Sequence, residues 1–135
     1  EVVPIVRPEA EQRHVNIIVS ENGAPEVNGD PAMLRQAILN LALNACQAMP
    51  EGGTLTIGCE AARGRRVKLT VTDTGVGIKP EHLQKIFDLY FTTKERGSGI
   101  GLSMVFRTVQ MHDGEIEVQS TPGKGTTFTL LLPQA

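Results

Sequence analysis

Residues 67–77 read VKLTVTDTGVG, and the fold is decided there. Val67, Leu69 and Val71 alternate with Lys68, Thr70 and Thr72, the period-two pattern of a strand with one buried face. The next residue in the apolar phase is Asp73. A carboxylate thus arrives at the strand end pointing where the core lies. A buried acid needs a donor or a shifted pKa. Thr74-Gly75-Val76-Gly77 follows at once, and two readings stand side by side. One is an Asx-turn that satisfies the acid locally. The other is an acceptor for a ligand amine, with Gly75 and Gly77 letting backbone approach closely.

Working outward, Leu55, Ile57 and Cys59 also alternate, and Arg63-Gly64 turns the chain, so the two strands form a hairpin. Upstream, His14 to Ser20 alternates with Val15, Ile17 and Val19 on one face, a third strand. Before it, residues 1 to about 13 read as a short helix that Pro8 kinks or shortens. Residues 21–29 are turn-rich. Asp30-Pro31 then opens a helix, Asp as N-cap and Pro at the first position, that runs to about Met49. Pro50 and Gly52-Gly53 stop it. Downstream, Pro80 to Phe87 predicts a short helix and Asp88 to Gly101 an irregular polar stretch. A helix runs from there to about His112, with Leu102, Val105, Phe106 and Val109 at helical spacing. Ile116 and Val118 mark a strand, Thr121-Pro122-Gly123 a turn, and Thr126 to Leu132 the last strand. The order of elements predicts one domain over residues 1–135. Its class is an α/β sandwich (α+β): a mixed, mainly antiparallel sheet covered on one face by helices.

Composition excludes several classes. The chain has 135 residues and a formal charge of -2 from 13 Lys plus Arg against 15 Asp plus Glu. So even a balance removes the electrostatic case for nucleic acid or an anionic membrane surface as partner. Aromatic residues are only 4%, too few for base-stacking platforms. No apolar run approaches the roughly 20 residues of a membrane helix. Two cysteines, Cys46 and Cys59, make neither a disulfide framework nor a metal set, and a reducing, cytoplasmic setting is expected.

The helix over 31–49 is unusual. At about 100° per residue, Leu34, Ala37, Ile38, Leu41, Ala45 and Ala48 fill one face, and Leu39, Leu43 and Cys46 most of the back. The helix is therefore expected to be largely buried. One polar stripe remains, Gln36, Asn40, Asn44 and Gln47, with Asn40 and Asn44 stacked one turn apart. Asn is a poor helix-interior residue. Either the two bond loop backbone, or they form the wall of a ligand site where an amide oxygen can ligate a hard cation such as Mg2+.

Gly97-Ser98-Gly99-Ile100-Gly101 precedes the next helix. Unsatisfied N–H groups and the helix dipole at such a start favour phosphate. No Gly-Lys-Ser/Thr follows, so it is not a P-loop. Lys94 and Arg96 lie just before it, as phosphate partners or as solvated charges. Thr126 shares strand phase with Phe128, Leu130 and Leu132, so its hydroxyl faces inward and needs a partner.

The order of these signals is more specific than any one of them. Asn40-Leu41-Ala42-Leu43-Asn44-Ala45, then Asp73-Thr74-Gly75-Val76-Gly77, then Phe87 to Lys94, then Gly97 to Leu102, then Gly123-Lys124-Gly125-Thr126 resemble the N, G1, F, G2 and G3 boxes of sensor histidine kinases. The resemblance covers essentially the whole chain. It implies the catalytic ATP-binding domain of a bacterial-type sensor histidine kinase, with the Bergerat-type fold shared with gyrase, Hsp90 and MutL.

By that resemblance, Asn44 ligates the Mg2+ that bridges the ATP phosphates, and Asn40 stands near the same ion and its waters. Asp73 accepts from the adenine amine, and Thr126 holds a water to the ring. Gly75, Gly77, Gly99 and Gly101 give room around base and phosphates. Ile78, Gly97 and Leu102 count among the nucleotide-binding positions. Residues from about Asp88 to Ser98 form the ATP lid, Phe87 and Phe91 anchor it, and Lys94 contacts phosphate. Gln47 stands where many histidine kinases have Lys, so one phosphate contact is either missing or supplied by Lys94. ATP-hydrolysing relatives usually carry Glu where Asn40 stands. An amide cannot act as a general base at neutral pH, so Asn40 implies a kinase that holds ATP for another nucleophile and hydrolyses it slowly.

The phospho-accepting His of the family lies on a separate dimerising helical hairpin, in an acidic His-Glu/Asp context followed by Asn-Pro. His14, His82 and His112 lack that context. The expectation is therefore a fragment of a longer kinase, itself monomeric, whose full-length parent is membrane-anchored or soluble. It binds Mg-ATP and donates the γ-phosphoryl to a histidine on that dimerisation domain, from which it passes to an aspartate of a response regulator. Two other readings stay open: a serine kinase or ATPase of the same superfamily acting as a partner-switching regulator, and a non-catalytic ATP sensor. The long F box favours the first reading over the serine kinase, and Asn44 argues against the sensor.

Overall fold

The computed structural model describes residues 8, 10–21, 27–83 and 101–134. Along the chain these form β1 (Val15–Glu21), α1 (Pro31–Gln47), β2 (Gly53–Ala62), β3 (Arg66–Asp73), α2 (Pro80–Leu83), α3 (Gly101–Met111), β4 (Glu115–Thr121) and β5 (Gly125–Pro133). The strands make one sheet in the order β1-β2-β3-β5-β4. β1 runs parallel to β2, with α1 as the crossover between them, and every other pair is antiparallel. The mixed, mainly antiparallel sheet expected from the sequence is what forms.

Alternation dictates which way each strand faces. Leu55, Val71, Phe128, Leu130 and Leu132 point into one core with Leu41, Ala45 and Cys46 of α1 and Val105 and Val109 of α3. The opposite phase is threonine-rich: Thr72 and Thr127 face each other there, their hydroxyl oxygens 3.2 Å apart. Burying one side chain such as Leu41, Leu55 or Leu130 contributes about 1.5–3 kcal/mol.

The start of α1 follows its sequence signal. Asp30 Oδ1 accepts from the Ala32 and Met33 N–H groups at 2.9 and 3.3 Å, with Pro31 in the first turn. The helix ends at Gln47, two residues before the expected Met49, because Ala48 already leaves the helix as its C-cap. Its burial is less complete than its composition suggests. Leu39 and Leu43 are only half-buried, and Gln36 and Gln47 are exposed. Among the described residues there is one sheet and one helical layer, and no third layer covers the outer side of α1.

β1 shows the same economy of cover: Val15 is buried, Ile17 half-buried and Val19 exposed. Residues 10–12 are helical, the end of the expected N-terminal helix; residues 1–7 lie outside the described residues. α2 is a single turn, Pro80–Leu83, and the remainder of the helix expected to Phe87 lies outside the described residues. Among the described residues no helix is long and apolar enough to cross a membrane.

His112 joins the two long helices. Its Nε2 lies 3.1 Å from the Asp30 N–H and must accept from it, so in the neutral ring Nδ1 carries the proton and donates to the Thr108 carbonyl at 2.7 Å. The ring packs against Gly29, where a Cβ would collide with it. A structural role, as its sequence context suggests, accounts for this histidine.

Candidate nucleotide site

The sheet register lines up one transverse row on the helix-facing side. Ile17, Leu55, Asp73, Thr126 and Ser120 are neighbours across β1, β2, β3, β5 and β4. The row changes from apolar to polar halfway across the sheet. A cleft of about 340 Å³ opens at this end of the strands, lined from both phases, by Thr72, Gln119 and Thr127 of the threonine-rich face as well as by Asp73, Ser120 and Thr126.

Asp73 is 4% exposed. Its Oδ1 accepts from the Gly75 N–H at 2.8 Å, so the Asx-turn of the first reading is real. That bond does not exhaust a carboxylate, which accepts through two oxygens. Burial pushes the carboxyl pKa above its ordinary 3.8, opposed by hydrogen bonds from the backbone N–H groups of Gly75 and Thr126. The environment is therefore that of an acceptor held in a place costly for charge.

Thr126, 5% exposed, has the partner that its phase demands. Its Oγ1 is 2.7 Å from Ser120 Oγ. Ser120 Oγ also accepts from the Ile78 N–H at 2.7 Å and donates to the Gly125 carbonyl at 3.0 Å. One serine hydroxyl thus ties β4 and β5 to the loop that follows β3. Sequence reading missed Ser120. The signal was available: Ser120 continues the apolar phase of Ile116 and Val118, as Asp73 continues that of Val71.

The loop after β3 is held against the end of α1. The Val76 N–H donates to the Ala48 carbonyl at 3.0 Å, and the Gly123 N–H donates to the Val76 carbonyl at 2.8 Å. A Cβ on Gly75 would overlap the Ala48 carbonyl. Gly77 has φ +75°, and a Cβ there would overlap the Thr121 carbonyl. The close approach expected of both glycines is met by the chain's own backbone. The same packing brings the two halves of the site together, because Asn44 lies one turn before Ala48, whose N–H bonds to the Asn44 carbonyl at 3.0 Å.

The polar stripe of α1 survives in part as expected. Asn40 and Asn44 are half-buried, and Asn40 Oδ1 accepts from Gln36 Nε2 at 3.2 Å. Gln47 is exposed at the helix end. Ile78 and Leu102 are half-buried against the core, and Gly101 is the first residue of α3. Phe87, Phe91, Lys94, Gly97 and Gly99 lie outside the described residues. Among the described residues no group of three His, Cys, Asp or Glu could hold a metal ion by itself.

The family profile described as histidine kinase-, DNA gyrase B- and HSP90-like ATPase matches residues 29–135, from the start of α1 to the chain end. The chain belongs to this family. Within it, the sensor histidine kinase ZraS of Escherichia coli strain K12 is 43% identical over 130 residues, 96% of this chain and 28% of its own length. The chain thus spans under a third of that relative. Among solved structures, full-length ShkA in complex with AMPPNP superposes with a TM-score of 0.90 at 31% identity, covering 99% of this chain and 28% of that one. The mycobacterial sensor histidine kinase MprB gives a TM-score of 0.87 at 28% identity, over 98% of this chain and 89% of that one. These ATPase-family neighbours share the mixed sheet and helical layer described above.

Proposed function

We propose that this domain binds Mg-ATP and donates the γ-phosphoryl group to a histidine on a separate dimerisation domain of a two-component sensor kinase. The observation that carries the reading is the buried Asp73 in a polar row with Thr126, at the end of the fold where α1 presents Asn40 and Asn44. A buried carboxylate that keeps acceptor capacity suits a purine amine. Thr126 beside it suits a water held to the same base.

The donor set also fits Mg2+ entering with its nucleotide. Mg2+ keeps most of its waters and takes one or two protein oxygens plus phosphates. Asn44 would supply such an oxygen, with Asn40 beside it, and the ion would neutralise phosphate charge. Gln47, exposed at the end of α1, is assigned to the phosphates on the resemblance of its motif. Phe87, Phe91, Lys94, Gly97, Gly99, Gly101 and Leu102 are assigned to the nucleotide on the resemblance of their motifs.

Catalysis then consists of positioning and charge neutralisation, since the nucleophile is an imidazole from another domain. Asn40 cannot draw a proton from water, which keeps ATP for that imidazole. The phosphoryl group next passes to a response-regulator aspartate.

Calorimetric titration with a non-hydrolysable ATP analogue, with and without Mg2+, tests the reading on this chain and on Asp73→Asn. Binding assisted by Mg2+ in the parent, and about 10- to 100-fold weaker in the variant, is expected from loss of a charge-assisted bond. Equal affinity in the two proteins would overturn the assignment of Asp73 to the base.

A further inference from the structure

A hydroxyl has one proton, and at Ser120 the surroundings decide where it goes. The Ile78 N–H can only donate, so Ser120 Oγ accepts from it at 2.7 Å. The Gly125 carbonyl can only accept, so the Ser120 proton is directed there at 3.0 Å. Thr126 Oγ1 stands 2.7 Å from the same Ser120 oxygen. With the Ser120 proton engaged, that contact holds only if Thr126 is the donor. Its own proton is then turned away from Asp73 and towards β4. What Thr126 has left for a ligand is lone-pair density.

The polar row therefore presents acceptors alone, the Asp73 carboxylate and the Thr126 oxygen. Such an edge suits a base that offers N–H groups. It opposes one that offers a carbonyl oxygen at the same place, because two acceptors facing an acceptor leave buried groups unpaired.

We infer that Ser120 is a positioning residue that fixes the Thr126 hydroxyl as an acceptor and thereby sets the preference of the site for a 6-amino over a 6-oxo purine nucleotide. The inference rests on the assignment of Asp73 and Thr126 to the base. Ser120 itself touches no ligand. Removing its oxygen frees the Thr126 proton to turn into the site and pair with a 6-oxo group.

The test compares affinities of a non-hydrolysable ATP analogue and its inosine counterpart for the parent chain, Ser120→Ala, Ser120→Thr and Asp73→Asn. The parent should prefer the 6-amino analogue. Ser120→Ala should keep binding it while the preference falls about 5- to 10-fold, the worth of one hydrogen bond. Ser120→Thr keeps the hydroxyl and should restore the preference. Ser120→Cys, close in size but a weak donor and acceptor, should behave as the alanine variant and carries the test if the latter does not fold.

A merely structural serine would weaken both analogues alike and leave their ratio unchanged, and that result overturns the inference. No preference in the parent, or no effect of Asp73→Asn, would remove the base assignment and the inference with it.

Discussion

At Asp73 burial and hydrogen bonding act on the carboxyl in opposite directions, and burial wins. Its pKa in the folded chain therefore lies above 3.8, its value when unfolded. Between those two values the native state binds more protons than the unfolded one, so this group's contribution to stability falls as pH rises. It is fully present below 3.8 and lost as pH passes the folded pKa. Asp73→Asn removes that titration. The Tm of the variant minus that of the parent should thus be smallest below 3.8, and should grow as pH rises towards neutrality. A difference independent of pH would contradict burial as the dominant cause. The acid was legible in the sequence because it broke an apolar alternation, and Thr126 stood out for the same reason. Ser120 carries the same signature but sits beside a turn, where a serine already has a local explanation. Only the register between β4 and β5 shows that it meets Thr126.

The loop that links β3 to α2 owes its shape to what packs on both sides of it. Gly77 adopts φ +75° with the Thr121 backbone against its α-carbon. Gly77→Ala meets a left-handed conformation, worth about 1–2 kcal/mol, and an overlap that costs about 1–3 kcal/mol more. A matching loss in denaturant unfolding is expected, together with weaker nucleotide binding, since Ile78 and Ser120 shift with the loop. Gly123→Ala is a fair comparison: its φ is also positive, at +80°, but open space surrounds it, so only the first cost applies. Elements as such were legible from alternation and from the Asp30-Pro31 cap. Their ends were less so. α1 stops at Gln47, shortly before Pro50, and the Ala48 carbonyl accepts from the Val76 N–H, a contact with a loop 28 residues away that no local pattern announces.

Across the whole molecule, stability is concentrated in one core under two helices. Phe128 on β5 is 2% exposed, whereas Met111 at the end of α3 is 63% exposed. Phe128→Ala should cost about 3–5 kcal/mol, a large share of the stability of a domain this size. Met111→Ala should stay within about 0.5 kcal/mol. Chemical denaturation of both variants checks the contrast. The sheet-and-helix class followed from the sequence, but the strand order did not. β3 pairs with β5 through residues as far apart as Arg66 and Pro133, and such pairing has no local signature. That order has a consequence for how the protein is made. β5 comes after β4 and is the last of the described strands, yet it lies inside the sheet between β3 and β4. A growing polypeptide leaves the ribosome N-terminal end first, so β4 emerges with no neighbour to join. It is stranded until β5 follows and inserts. Thr126 arrives in that same event, beside Asp73 and Ser120. A chain that stops before residue 125 therefore carries Asp73 and Ser120 without the strand that joins them in one row.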